Sequence, residues 1–210
     1  MPVLIHGAVA AVSFRYGFFT LLVLLLIFGI WWLGASRGVA LFSEGSPLEW
    51  LQLGLLAGTF LTALHGAVKC PRFKQLMRIL AILPALAIVR ELDATLDTMI
   101  PKLGWHLPFH MILIPSVFYG WSNRTILARQ LKMFVGNRSF GLMWAGLMVS
   151  MPFAQLIGHG DFLEQLFGND YQRPFKRLIE ECCELLGYLL ILLASIDWVW
   201  QAGKNDEPAS

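Results

Sequence analysis

Three carboxylates, Glu180, Glu181 and Glu184, stand inside the last long apolar stretch of the chain, PFKRLIEECCELLGYLLILLASIDWVWQ, from Pro174 to Gln201. A helix needs about 20 residues to cross about 30 Å of hydrocarbon. Counted back from Trp198 and Trp200, that length begins near Ile179, so the three acids fall at or below the membrane boundary. An ionised carboxylate there is costly unless it faces protein, water, a cation or a metal. Helical spacing separates the three. Lys176 lies four residues before Glu180 and Arg177 four before Glu181, so an ion-pair cluster at the membrane end accounts for both. Glu184 has only Glu180 and Glu181 at that spacing. They repel it and call for a cation from another helix.

A second carboxylate comes from the third apolar stretch. Ile79 to Val89 is eleven residues, about 16 Å at 1.5 Å per residue, too short to cross. The spacing therefore predicts a helix that continues through Arg90-Glu91-Leu92-Asp93-Ala94-Thr95-Leu96-Asp97. Arg90 and Asp93 are spaced for a local ion pair, and Glu91 lies about 100° off their stripe. Two accounts follow: Arg90 neutralises Glu184 across a helix contact, or Glu91 and Glu184 together bind a cation.

Histidines supply further candidates. His106 and His110 are spaced to present both imidazoles on one helix face, as metal-binding helices do; interfacial histidines beside Trp105 are the plainer reading. His159, at the end of the fifth span, is favourably placed against that helix's dipole and adjoins the acidic side. The expected site therefore has Glu184 and Glu91 as catalytic groups and Glu91, His110, His159, Glu180 and Glu184 as metal ligands. Glu49, Arg90, Asp93 and Glu181 support them. Carboxylates with imidazoles and without a thiolate pattern suit Zn²⁺, Fe or Mn²⁺. Such a metal can activate water, with a Glu as general base, to hydrolyse an ester, amide or phosphodiester in a lipid headgroup.

Two acidic motifs have a structural explanation. Ser46-Pro47-Leu48-Glu49 is a capping box with proline at the first helical position. Asp161-x-x-Glu164 predicts another, opening a short amphipathic helix along the outer interface. Cys182 and Cys183 are adjacent and Cys70 is remote, which is neither a disulfide framework nor a CxxC metal pair. The histidines do not fall into the serine, aspartate and three-histidine pattern of alkaline-ceramidase-like membrane hydrolases, so no residue roles carry over from that family. There is also no Gly-rich phosphate loop, GxSxG or HExxH motif.

The elements that must position these groups are helices. The 210 residues are 57% hydrophobic and 14% charged, with a mean hydropathy of +0.62; soluble domains carry about 25% charged residues. Apolar runs recur from end to end, which predicts one all-α integral membrane domain over 1–210. Six spans are expected, at about 17–34, 47–68, 75–97, 106–121, 140–158 and 175–200. The first is longer than a signal-peptide core and is read as uncleaved; Val3 to Phe14 before it is expected at the interface.

Lys69, Arg72, Lys74 and Arg78 follow the second span, and Arg124, Arg129, Lys132 and Arg138 follow the fourth. By the positive-inside rule these loops and both termini are cytoplasmic. Most acids, from Glu44 to Glu184, then fall outside, and Asp197, Asp206 and Glu207 do not. Tryptophans at both interfacial levels agree with this arrangement. The expected location is a bacterial inner (plasma) membrane with the site facing the periplasm or exterior. The expected partners are the lipid bilayer, a lipid substrate and a membrane protein partner, not nucleic acid. The alternative function is a non-catalytic accessory or assembly subunit whose outer charges form ion pairs or bind a partner.

Overall fold

The computed structural model describes residues 2–42, 45–100 and 102–206, which leaves the expected outer acid Glu44 and the terminal Glu207 outside the described residues. Every regular element among them is helical. In chain order these are α1 (Pro2–Arg37), α2 (Pro47–Lys69), α3 (Lys74–Glu91), α4 (Asp93–Met99), α5 (His106–Ser122), α6 (Arg124–Val135), α7 (Arg138–Met148), α8 (Ala154–Ile157), α9 (Gly160–Phe167) and α10 (Arg173–Asp206). Among the described residues four helical segments are long and apolar enough to cross a membrane: Val12–Arg37, Ala40–Lys69, Arg138–Ile157 and Arg173–Gly203. They match the first, second, fifth and sixth expected spans. The other two are shorter, since α3 has 18 residues and α5 has 17.

The sequence differs from the structure at four places. The third span does not run on to Asp97: α3 ends at Glu91, Leu92 turns out of helical geometry at φ −93° and ψ 17°, and α4 starts afresh. Asp93 explains part of this, because its Oδ1 accepts from the Ala94 N–H at 2.6 Å and competes with helical bonding there. The stretch from Val3 to Phe14 is not a separate segment but the first third of α1. The basic segment after the fourth span contains a helix, α6, whose buried side carries Gln130 and Phe134. Asp161 does not cap α9: the helix starts at Gly160 with His159 before it, and Asp161 sits inside the first turn, where a negative charge meets the positive end of the dipole.

α10 is the hub. Its neighbours along α2 run in register, Gln52 meeting Glu181, Gly58 meeting Leu192 and Gly66 meeting Val199, so the two helices are parallel. α7 and α8 run the other way, with Ser139 beside Asp197 and Gly146 beside Gly187. α3 is antiparallel to α10 as well, since Phe73 just before its start meets Trp198 and Arg90 near its end meets Glu184. The approach of α7 and α10 depends on absent side chains. A Cβ at Gly187 would stand 2.7 Å from the Gly146 carbonyl oxygen and 2.8 Å from the Ser150 nitrogen. Pro152, which lacks a donor, is absorbed in a π-helical turn over Val149–Phe153.

The main core forms at the end of α10 near Trp198. This indole is 1% exposed, stacks on Phe134 at 4.0 Å and meets the edge of Phe73 at 5.2 Å. Met77, Phe134 and Met143 fill the space around it. A smaller core of Leu41, Leu48 and Leu185 receives Leu26, Ile30 and Leu33 from α1. Otherwise α1 presents Phe18, Leu21, Leu24, Leu25, Phe28 and Trp31 outward. Apolar exposure on that scale is consistent with a membrane protein.

Candidate functional site

The parallel and antiparallel directions place the starts of α2 and α10 beside the end of α3. The groups that gather there are polar. A cleft of about 360 Å³ is lined by Ser46 and Glu49 from α2's start, Arg90, Glu91 and Asp93 from the α3–α4 junction, Gln155 from α8, and Lys176, Arg177, Glu180, Glu181 and Glu184 from α10. Phe42 also lines it. Every carboxylate candidate expected from the sequence therefore meets at one cleft.

Each acid is held differently. Glu184 is 5% exposed, and its Oε1 lies 3.6 Å from Arg90 Nη2. The Arg90 side chain itself is 54% exposed, so the pair is long and open on its cationic side. Glu91 accepts a hydrogen bond from the buried Tyr188 hydroxyl at 2.9 Å. Glu181 accepts from Gln52 Nε2 at 2.9 Å, and Gln52 is fully buried. Glu180 faces Lys176 at 3.8 Å, one helical turn away, and its side chain passes so close to Gly158 that a methyl there would collide with it.

Glu49 keeps its capping role in altered form. Its N–H donates to Ser46 Oγ at 3.3 Å, while its carboxylate accepts from the Gly45 N–H at 2.6 Å rather than from Ser46. The remaining carboxylate lone pairs are free to face the cleft it lines.

The balance of charge is one-sided. Glu49, Glu91, Asp93, Glu180, Glu181 and Glu184 line the cleft against Arg90, Lys176 and Arg177, six acids to three bases. Gathering carboxylates raises the Coulomb energy of the site, and a bound cation lowers it.

The expected histidines are elsewhere. His110 is exposed on α5, where its Nδ1 lies 2.7 Å from the His106 carbonyl oxygen; the two imidazoles stack on the Trp105 side of the helix. His159 is exposed between α8 and α9. Neither lines the cleft, because α5 packs on α3 away from α10 and the α8–α9 turn points His159 outward. Among the described residues no three His, Cys, Asp or Glu side chains come together as a metal-holding group. The donor set that lines the cleft is oxygen-rich and lacks the imidazoles that would favour Zn²⁺ or Fe.

Three site residues went unnoticed in the sequence. Tyr188 follows Glu184 by four residues and Glu180 by eight, which places it on the same helix face. Gln52 is an isolated amide one turn after Glu49 in an apolar helix. Gln155 carries no comparable signal.

A second polar cluster occupies the other end of α10. Asp197, 5% exposed, accepts from Arg15 Nη1 at 2.6 Å through Oδ1. Its Oδ2 accepts from Ser139 Oγ and Gln201 Nε2, each at 2.7 Å. This cluster ties α1, α7 and α10 together with its charge paired and its oxygens occupied, which is the pattern of structural anchoring.

Comparison of the chain with protein-family models, with curated proteins and with solved structures gave no match.

Proposed function

We propose that the protein is a multi-pass membrane protein whose carboxylate-lined cleft takes a positively charged ligand at headgroup level. Glu184 and Glu91 are then the pair that moves protons during hydrolysis of a headgroup bond. The observation that supports this reading is the excess of carboxylates around one cleft, with Glu184 buried and only loosely paired. The shared chemistry of the ligand is a cation, either an amine of a lipid headgroup or a divalent metal held by the same oxygens. Glu91, oriented by Tyr188, is suited to accept a proton from water, and Glu184 to deliver one to the leaving group.

α3 and α5 complete six spans in this reading, tilted or locally thinned to fit their shorter lengths. The basic segments after α2 and α5 face the cytoplasm with both termini, and the cleft faces outward from an inner or plasma membrane.

The test is ligand binding by detergent-purified protein, read as metal content by elemental mass spectrometry and as thermal stabilisation by Mn²⁺, by phosphatidylethanolamine and by phosphatidylglycerol. The expected result is stabilisation by Mn²⁺ or by the amine lipid over the anionic one, lost in Glu184→Gln. Turnover is then followed in mixed lipids by mass spectrometry. No selective binding of either cation, or binding that survives Glu184→Gln unchanged, overturns the proposal.

A second reading, an accessory subunit, draws on the Arg90–Glu184 pair as an interhelical tie and on the apolar outer face of α1. It predicts a stability loss in Glu184→Gln instead of a binding loss.

A further inference from the structure

The end of the bundle opposite the carboxylate cleft holds a smaller cavity of about 250 Å³, lined by Arg72, Phe73, Met133, Asn137, Trp198 and Ala202 among others. We propose that it is a binding site for a phosphate-bearing anion, either the phosphodiester of an anionic lipid headgroup or a soluble phosphate. It is separate from the acidic cleft and does not depend on the chemistry proposed there.

Arg72 is the first reason. Its backbone is fixed, because Gln130 of α6, itself 5% exposed, donates from Nε2 to the Arg72 carbonyl at 2.7 Å and accepts from the Leu76 N–H at 2.8 Å. Its guanidinium is exposed and close to no anion: Nη2 lies 3.3 Å from Met133 Sδ, and the guanidinium carbon sits 5.9 Å from the centre of the Phe73 ring. Among the described residues no carboxylate lies within ion-pair distance of it. A planar donor fork held at a cavity mouth with only a thioether as acceptor suits a phosphate oxygen pair.

The second reason is the electrostatic setting. Among the described residues no acid lines the cavity. The chain has no Asp or Glu between Glu49 and Glu91 or between Asp97 and Asp161, the segments that supply Arg72, Phe73, Met133 and Asn137; Trp198 and Ala202 come from α10, whose sequence carries Asp197 and Asp206. The acid-free segments bring Lys69, Lys74, Arg78, Arg124, Arg129 and Lys132 to this end. Asp197, next to Trp198 in sequence, is neutralised by Arg15. By sequence this end carries more bases than acids, the reverse of the acidic cleft.

The third reason is shape and lining. Asn137 caps α7, its Oδ1 accepting from the Ser139 N–H at 2.8 Å, so the positive end of that 11-residue helix begins at the cavity wall. Phe73, Met133 and Ala202 supply an apolar flank suited to the first methylenes of an acyl chain. Cationic pockets between helices, with such flanks, suit anionic lipid headgroups.

The experiment uses the full chain in a neutral detergent. Native mass spectrometry follows binding of short-chain phosphatidylglycerol, phosphatidylcholine of the same chain length, and inorganic phosphate. Saturable binding of phosphatidylglycerol over phosphatidylcholine is expected, weakened about tenfold in Arg72→Glu by loss of a charge-assisted contact. Arg124→Gln, which removes a cation at the same end but outside the cavity, is expected to change it by less than about threefold. Arg72→Gln removes the charge without introducing an opposite one and serves if Arg72→Glu does not fold. Competition by millimolar phosphate assigns a soluble anion, and its absence assigns the lipid; both support the site. Equal binding of the two lipids without phosphate binding overturns the proposal, as does equal sensitivity to Arg72→Gln and Arg124→Gln.

Discussion

Removing the charge of Glu184 and removing that of Asp197 are expected to have opposite consequences, although both carboxylates are buried on the same helix. Asp197 has three partners at 2.6 to 2.7 Å. In Asp197→Ala the Arg15 guanidinium, whose side chain is 16% exposed, is left in the bundle without its counter-charge, and Ser139 and Gln201 lose an acceptor. Breaking such a pair from one side costs about 3–5 kcal/mol. Glu184 differs in geometry. Its cationic partner is 3.6 Å away and more than half exposed, so water solvates Arg90 when the pair is lost and the cost lies nearer the about 0–1 kcal/mol of exposed pairs than that of a pair buried on both sides. Neutralising it also relieves repulsion from Glu91, Glu180 and Glu181, which line the same cleft.

Glu184→Gln is therefore expected to be neutral or slightly stabilising, and Asp197→Ala to lose several kcal/mol. The assay is reversible unfolding in mixed micelles, with sodium dodecyl sulfate as the titrant and helicity as the signal. A loss of more than about 2 kcal/mol in Glu184→Gln would refute the reasoning and favour the structural ion pair. A loss below about 1 kcal/mol in Asp197→Ala would refute the anchoring role of the other end.

Two further outcomes follow from packing. Gly187→Ala places a methyl against the Gly146 carbonyl and the Ser150 backbone; because backbone cannot rotate away, a loss of about 1–3 kcal/mol is expected in the same assay, and an unchanged midpoint would contradict the close crossing of α7 and α10. Gln130→Ala leaves the Leu76 N–H and the Arg72 carbonyl without their partner. The expected cost is about 1–3 kcal/mol, with faster hydrogen exchange at Leu76 and weaker phosphate binding at Arg72. Unchanged exchange at Leu76 would show that α6 is held by other contacts.

The apolar periodicity was sufficient to predict an all-helical chain and, among six expected spans, the four helices long and apolar enough to cross a membrane. These properties are additive along the chain: each helix length is readable without its neighbours. The carboxylate set was legible for the same reason. An acid in an apolar helix is conspicuous wherever it packs, so Glu91, Glu180, Glu181 and Glu184 stood out, and Ser46 with Glu49 carried a local capping pattern.

What needed the tertiary structure was every relation between helices and every local competition that a period cannot show. The break at Leu92 is accounted for in part by the Asp93 side chain accepting from the Ala94 N–H, which apolar spacing does not show. His110 and His159 share a predicted depth with the acids, yet depth does not specify rotation about a helix or which helices touch; α5 packs on α3, and both histidines face away from the cleft. The Arg90–Glu184 pair was one of two accounts open from the sequence and the structure holds it at 3.6 Å, while the bond from Tyr188 to Glu91 and the anchoring of Arg15 by Asp197 were not foreseen; all three join residues about 90 to 180 positions apart. Only the parallel seating of α2 on α10 and the antiparallel seating of α1, α3 and α7 bring those groups within reach, because their side-chain contacts decay over a few ångströms and carry no signature along the chain.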